Sequence, residues 1–210
     1  MIRALLIALV TVCAPAARAH PHVFVDVTLR FLPAADGQLS GVEVTWRYDD
    51  FFSLLVLEDR GLDPDGDMRL SPAERDRLMG FDLVDWPDGF EGALFLSGPD
   101  GDVALGPPRA THVGLDGGRI VSRHVRPFPP VAADDLVARP YDPSYYAALD
   151  LVAVAGVPDG CAPRIVEADA DAADARVAEL GDAGREDFFE EVRVGIYYAD
   201  RLEVSCAPSS

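Results

Sequence analysis

Apolar and polar positions alternate from His20 to Leu32. Val23, Val25, Val27, Leu29 and Phe31 fall on one face. His20, His22, Phe24, Asp26, Thr28 and Arg30 fall on the other. That period of two predicts a half-buried strand. Ala34–Gly37 reads as a turn, and alternation resumes over Gly41–Tyr48 through Val42, Val44 and Trp46. The two runs together predict an antiparallel hairpin. The period then lengthens. Phe51–Leu62 carries Phe, Leu and Val at helical spacing. Ser71–Phe81 predicts a second helix, with Ser71 as N-cap, Pro72 at the first helical position and Glu74 closing a capping box.

Strand patterns return beyond Trp86-Pro87-Asp88-Gly89. Ala93–Ser97 and Asp102–Leu105 flank Gly98-Pro99-Asp100-Gly101, and His112–Leu115 and Arg119–Val125 flank Asp116-Gly117-Gly118. Both pairs predict hairpins. Pro127–Pro130 breaks the pattern. Tyr145–Val154 fits strand or helix, and its Tyr-Tyr pair and valines favour strand. Ala172–Leu180 predicts a short acidic helix, Phe188–Tyr198 is apolar and aromatic, and Leu202–Cys206 predicts a last strand. No repeat or long linker interrupts the order. The expected fold class is α+β, an antiparallel sheet of hairpins with an inserted EF-hand-like helix-loop-helix around residues 50–82.

The first nineteen residues change the picture of where this domain works. Arg3, an apolar run from Ala4 to Val12, and Ala17-Arg18-Ala19 read as a cleaved signal peptide. The apolar run is shorter than the ~20 residues that span a bilayer. The expectation is an exported, periplasmic chain of one domain over residues 20–210, beginning at His20. It carries no later membrane-spanning segment and so no membrane insertion after cleavage. Loss of Arg3 and Arg18 takes the formal net charge from −18 to −20, and the chain has no lysine. Such a surface repels nucleic acid and anionic membranes, and neither is expected as a partner. Two cysteines remain after cleavage, Cys161 and Cys206, and in an exported chain they predict one disulfide.

Between the predicted helices, Asp63-Pro64-Asp65-Gly66-Asp67-Met68-Arg69-Leu70-Ser71-Pro72-Ala73-Glu74 follows the calcium loop of an EF-hand. Asp63, Asp65 and Asp67 take positions 1, 3 and 5. Arg69 offers its carbonyl at position 7, Ser71 acts through water at position 9, and Glu74 supplies the bidentate carboxylate at position 12. A hard cation needs such a set of oxygens. Position 6 wants Gly for its sharp turn, and here it is Met68. The other reading is an acidic surface turn.

Imidazoles offer a second chemistry. His20 and His22 lie two residues apart, on one face of the first strand, and imidazole suits Zn, Ni, Co and Cu. Pro21 removes the amide nitrogen that a square-planar N-terminal chelate would use. His112 and His124 sit on flanking strands of one predicted hairpin, where all four histidines would be able to converge. The alternative is that the first pair is a polar strand start and the second pair ordinary sheet residues. No nucleophile motif, phosphate loop or dinucleotide fingerprint appears, so no enzymatic activity is expected. A copper oxidase built on an N-terminal histidine brace has only the N-terminal His in its favour.

His20-Pro21-His22, Phe24-Val25-Asp26, the acidic loop, Tyr141-Asp142-Pro143-Ser144-Tyr145-Tyr146, Gly160-Cys161 and Val204-Ser205-Cys206 occur in that order. Together they resemble the DUF1007 family, over nearly the whole mature chain. The resemblance implies a periplasmic component of an uncharacterised transport system, encoded near nickel/cobalt-type exporters or metal uptake systems. It implies a membrane metal transporter or exporter as partner. The expectation is therefore a periplasmic metal-binding accessory protein with a structural Ca²⁺ loop. The competing expectation is a calcium-stabilised protein-interaction module with no transition-metal role.

Overall fold

The computed structural model describes residues 20–84, 86, 92–181 and 188–207. The expected signal peptide, residues 1–19, lies outside the described residues. Among the described residues no helix is long and apolar enough to cross a membrane.

The alternating N-terminal runs form β1 (Val23–Pro33) and β2 (Leu39–Tyr48), paired antiparallel with Val25 opposite Tyr48 and Phe31 opposite Val42. Every inward valine and leucine of β1 is buried, because the period of two puts them all on one face. Helices α1 (Asp50–Asp59) and α2 (Pro72–Leu78) follow. Asp49 caps α1 by accepting from the Phe52 amide, and the Ser71–Glu74 capping box of α2 is formed in both directions.

The rest of the chain supplies β3 (Leu94–Gly98), β4 (Gly101–Val103), β5 (Arg109–Asp116), β6 (Arg119–Val131), β7 (Val137–Pro140), β8 (Ala147–Ala155) and β9 (Cys161–Val166). Then come α3 (Ala170–Leu180), α4 (Phe188–Val192), a 3-10 turn over Val194–Tyr198 and β10 (Arg201–Cys206). Two five-stranded sheets result, ordered β5-β6-β2-β1-β8 and β4-β3-β7-β10-β9. One apolar core joins them, drawing Val27, Leu29 and Val44 from the first sheet and Leu96, Ala138 and Leu202 from the second.

The structure is thus α+β and sheet-rich, but it departs from an antiparallel array of hairpins in three ways. First, β8 pairs with β1 in parallel, Val23 against Ala147 and Arg30 against Ala155, so the first sheet is mixed. A parallel partner is reached only through a long connection, and no local pattern announces its direction. Second, β6 runs through the prolines at 127, 129 and 130 to Val131, which pairs with Leu39. The ladder shifts register between Leu39 and Gly41, opposite the prolines, and the Pro127 carbonyl accepts from the Gly106 amide instead. Third, the second sheet includes the short strands β7 and β9, which the predicted hairpins did not contain. The predicted disulfide is present: Cys161 and Cys206 face each other across the β9–β10 ladder, 3.9 Å apart at Cα.

Candidate metal centre

His20 and His22 lie immediately before β1. The backbone holds them there by donating from the His22 and Val23 amides to the Tyr146 carbonyl, at 2.8 and 3.3 Å. Tyr146 is in turn fixed by a turn built on Asp142. That carboxylate accepts from the Ser144 amide and hydroxyl, both at 2.9 Å, and from the Ala147 amide at 3.0 Å. Gly195 packs directly on this turn: a Cβ there would fall 1.8 Å from the Asp142 carbonyl oxygen, and its amide donates to the Pro143 carbonyl at 3.0 Å.

This scaffold brings the two imidazoles together, with ring centroids 4.9 Å apart and planes at 64°. Phe189 stacks on His20 at 4.3 Å and 7°, and Tyr146 lies 4.9 Å from His22. His20 Nδ1 is buried and, among the described residues, makes no hydrogen bond. Burial pushes the His20 pKa below its ordinary value; the neighbouring His22 lowers it further, and Asp142 and Glu190 pull the other way. A neutral imidazole presents a lone pair at neutral pH, which is the form a metal takes. Two imidazoles are donors of the type that suits Zn²⁺, Ni²⁺, Co²⁺ or Cu²⁺, but among the described residues no acidic side chain converges with them into a group of three. Sequence alone did not reveal Phe189, Tyr146, Asp142 and Glu190 as neighbours of His20. Only the Tyr141–Tyr146 motif hinted at that segment.

His112 and His124 are elsewhere. His124 pairs with Val44, which pairs with Leu29, six residues along β1 from Val23. At roughly 3.3 Å per residue that sets His124 about 20 Å down the sheet from the start of β1. His112 pairs with Arg123, on the level of Thr45 and Thr28, at the far edge of the sheet. Convergence of all four histidines is therefore excluded by the register. The two do not face each other either. His112 is exposed, whereas His124 is buried in line with Ser122 and Arg126 on the inner face of β6. His124 packs edge-on to Trp46 at 4.7 Å, and among the described residues neither ring nitrogen makes a hydrogen bond. Burial, aided by Arg126, lowers its pKa to about 4.

In the acidic loop, Asp63, Asp65 and Asp67 bring one carboxylate oxygen each to within 4.8 Å of one another. Among the described residues this is the one such group of three acidic, His or Cys side chains. Asp63 organises the loop, accepting from the Asp67 amide at 3.1 Å and the Met68 amide at 3.2 Å. Met68 adopts φ +59°, the left-handed conformation that position 6 requires, despite its side chain. Glu74 stands outside the group. Its oxygens accept from the Asp63 amide at 2.9 Å and the Ser71 amide at 2.8 Å, bridging the two ends of the loop. Those bonds, the Ser71 contacts first, hold the Glu74 pKa below its ordinary value. Asp67 accepts from the Arg69 amide at 2.9 Å.

The family model described as a protein of unknown function, DUF1007, matches residues 5–206, nearly the whole chain. No curated protein matches the chain. The chain belongs to the DUF1007 family.

Proposed function

We propose that this chain is a periplasmic, non-enzymatic metal-binding accessory protein. His20 and His22 take a transition metal, Zn²⁺, Ni²⁺, Co²⁺ or Cu²⁺, on behalf of a membrane transporter or exporter. The observation that carries this reading is the pair itself: two imidazoles 4.9 Å apart, one with a buried Nδ1 that has no hydrogen-bond partner among the described residues. An orphaned buried nitrogen costs free energy unless something satisfies it, and a metal ion would. Export by cleavage after Ala19 would make His20 the first residue and add its α-amine to the donors. His112 and His124 have no part in this site.

In the same reading the acidic loop, an EF-hand-like element between α1 and α2, holds a structural Ca²⁺. Asp63, Asp65 and Asp67 are already grouped, Arg69 offers its carbonyl, and Ser71 acts through water. Glu74 would have to turn from the Asp63 and Ser71 amides toward the ion.

Calorimetric titration of the mature chain with Zn²⁺, Ni²⁺ and Cu²⁺, beside a His20→Ala/His22→Ala variant, tests the reading. One transition metal per chain, with affinity lost in the variant, supports it. Equal stoichiometry and affinity in both proteins would remove it.

One observation favours a second reading, a calcium-stabilised module that recognises another protein. Phe51, Leu54 and Leu55 stand exposed at helical spacing on α1, beside the acidic loop. In that case Ca²⁺ raises the melting temperature and transition metals leave it unchanged.

A further inference from the structure

A cavity of about 400 Å³ opens beside the start of β1, between the inner faces of β1, β2 and β8 and the segments that carry Phe52, Asp82, Trp86 and Asp142. Its walls are unusually aromatic: Trp46, Tyr48, Phe52, Trp86 and Tyr146 all line it. Tyr48 stands edge-on to Trp46 at 6.4 Å and tilted against Phe52 at 5.0 Å. Among the described residues every charged one in the lining is acidic, namely Asp82, Asp142 and Glu190.

Asp82 is the carboxylate held among the aromatic walls. It sits largely buried, where the Tyr48 hydroxyl (3.0 Å) and the Ser122 hydroxyl (2.5 Å) both donate to Oδ2. Neither hydroxyl engages Oδ1. Burial raises its pKa above the ordinary carboxylate value, against the two hydroxyl donors and the Arg60 charge, so a further positive charge would favour its ionised form. Trp86 is fixed beside it, donating from Nε1 to the Asp82 carbonyl at 2.8 Å. One face of that indole already takes the Arg126 guanidinium, 5.7 Å from the ring. The ring is therefore used as a cation acceptor within the fold itself.

We infer that this cavity binds a small organic cation, an ammonium group carried on an apolar body, with the charge directed at Asp82 and the body against the aromatic walls. Rings and carboxylates in one pocket attract such a ligand twice, through the quadrupoles of the rings and through the formal charges. A bare metal ion fits less well. The three lining carboxylates are not among the acidic side chains that converge to share an ion, since the one such group among the described residues is in the acidic loop. Carboxylates spread around one apolar cavity suit a body that touches each wall. The site neighbours His20 and His22, sharing Tyr146 with His22, but the inference does not rest on metal binding there.

The test uses the full mature chain in chelator, so that metal at the histidines is absent. Phenethylammonium and 2-phenylethanol share one carbon skeleton and differ in charge, and binding is read by calorimetry and by tryptophan fluorescence. The cation is expected to bind at least about tenfold tighter than the alcohol. Asp82→Asn is expected to remove that preference. Glu190→Gln, at the rim and without a hydrogen bond to disturb, is expected to reduce it by about threefold even if the Asn variant folds poorly. Trp86→Ala is expected to weaken both probes. Equal binding of the two probes would overturn the inference and leave an apolar cavity only. So would no binding of either, or a cation preference that survives in the folded carboxamide variants.

Discussion

The two candidate metal sites are built in opposite ways. The acidic loop is local: Asp63, Asp67, Met68 and Glu74 hydrogen-bond to one another, with Asp65 grouped beside them, within a single connection between helices. The histidine pair is local only in name. Its geometry is imposed by Tyr146, Asp142, Phe189 and Gly195, which arrive from the far end of the chain. A local site depends on the dihedrals of its own loop. An assembled site depends on the fold around it, so perturbations of the C-terminal third should separate the two.

The largest effect is expected from the disulfide. The bridge closes the segment 161–206, which carries Phe189 and Gly195. Cys161→Ser/Cys206→Ser is expected to lower stability by about 4 kcal/mol, by loop entropy, in urea titration. Zn²⁺ affinity should fall with it, while Ca²⁺ affinity of the folded fraction should hold. Next comes Gly195→Ala, whose new methyl meets the Asp142 carbonyl at 1.8 Å. It is expected to cost about 3 kcal/mol and to shift the His20 and His22 signals in NMR spectra, with the acidic-loop signals unmoved.

His124 sharpens the contrast from inside the core. Its folded pKa is depressed to about 4 against the ordinary 6.5 of a free imidazole. Between those values the unfolded chain binds a proton that the folded chain refuses, so stability falls as pH drops from 6.5 toward 4. The loss across that window is about 3 kcal/mol, at 1.36 kcal/mol per unit. His124→Leu should flatten that slope in urea titrations at pH 4.5 and 7 without changing Zn²⁺ affinity. An unchanged slope would mean that His124 is not the group that titrates.

The smallest effect is at the loop. Met68 holds φ +59° with a side chain. Met68→Gly is expected to tighten Ca²⁺ binding by about 1 kcal/mol, through relief of that conformation. Zn²⁺ affinity should not respond.

The same contrast explains what the sequence disclosed. The β1–β2 hairpin was legible because Val23 to Phe31 alternate cleanly, and the α2 start because Ser71, Pro72 and Glu74 form a capping box within four residues. The Cys161–Cys206 bridge followed from cysteine arithmetic. The parallel pairing of β8 on β1 was not legible, because strand direction is a tertiary property. Strand β9 hid behind Pro163 and an exposed pattern, and β6 passed through prolines that usually end strands. In the acidic loop the spacing of Asp63, Asp65 and Asp67 announced their grouping, whereas the turn of Glu74 to the Asp63 and Ser71 amides was not legible. The pairing of His20 with His22 was readable from their spacing. Their aromatic surroundings were not, since nothing near His20 points to Phe189. The grouping of all four histidines failed on register alone, which residue type cannot report.

The central claim is that the histidine pair and the acidic loop are separate sites for different metals. Two-dimensional NMR of the mature chain, titrated first with Zn²⁺ and then with Ca²⁺, tests it most directly. The account predicts that Zn²⁺ shifts the His20, His22 and Tyr146 signals and leaves Asp63–Glu74 in place, and that Ca²⁺ then does the reverse. Zn²⁺ shifts confined to the acidic loop, or none at His20 and His22, would contradict it.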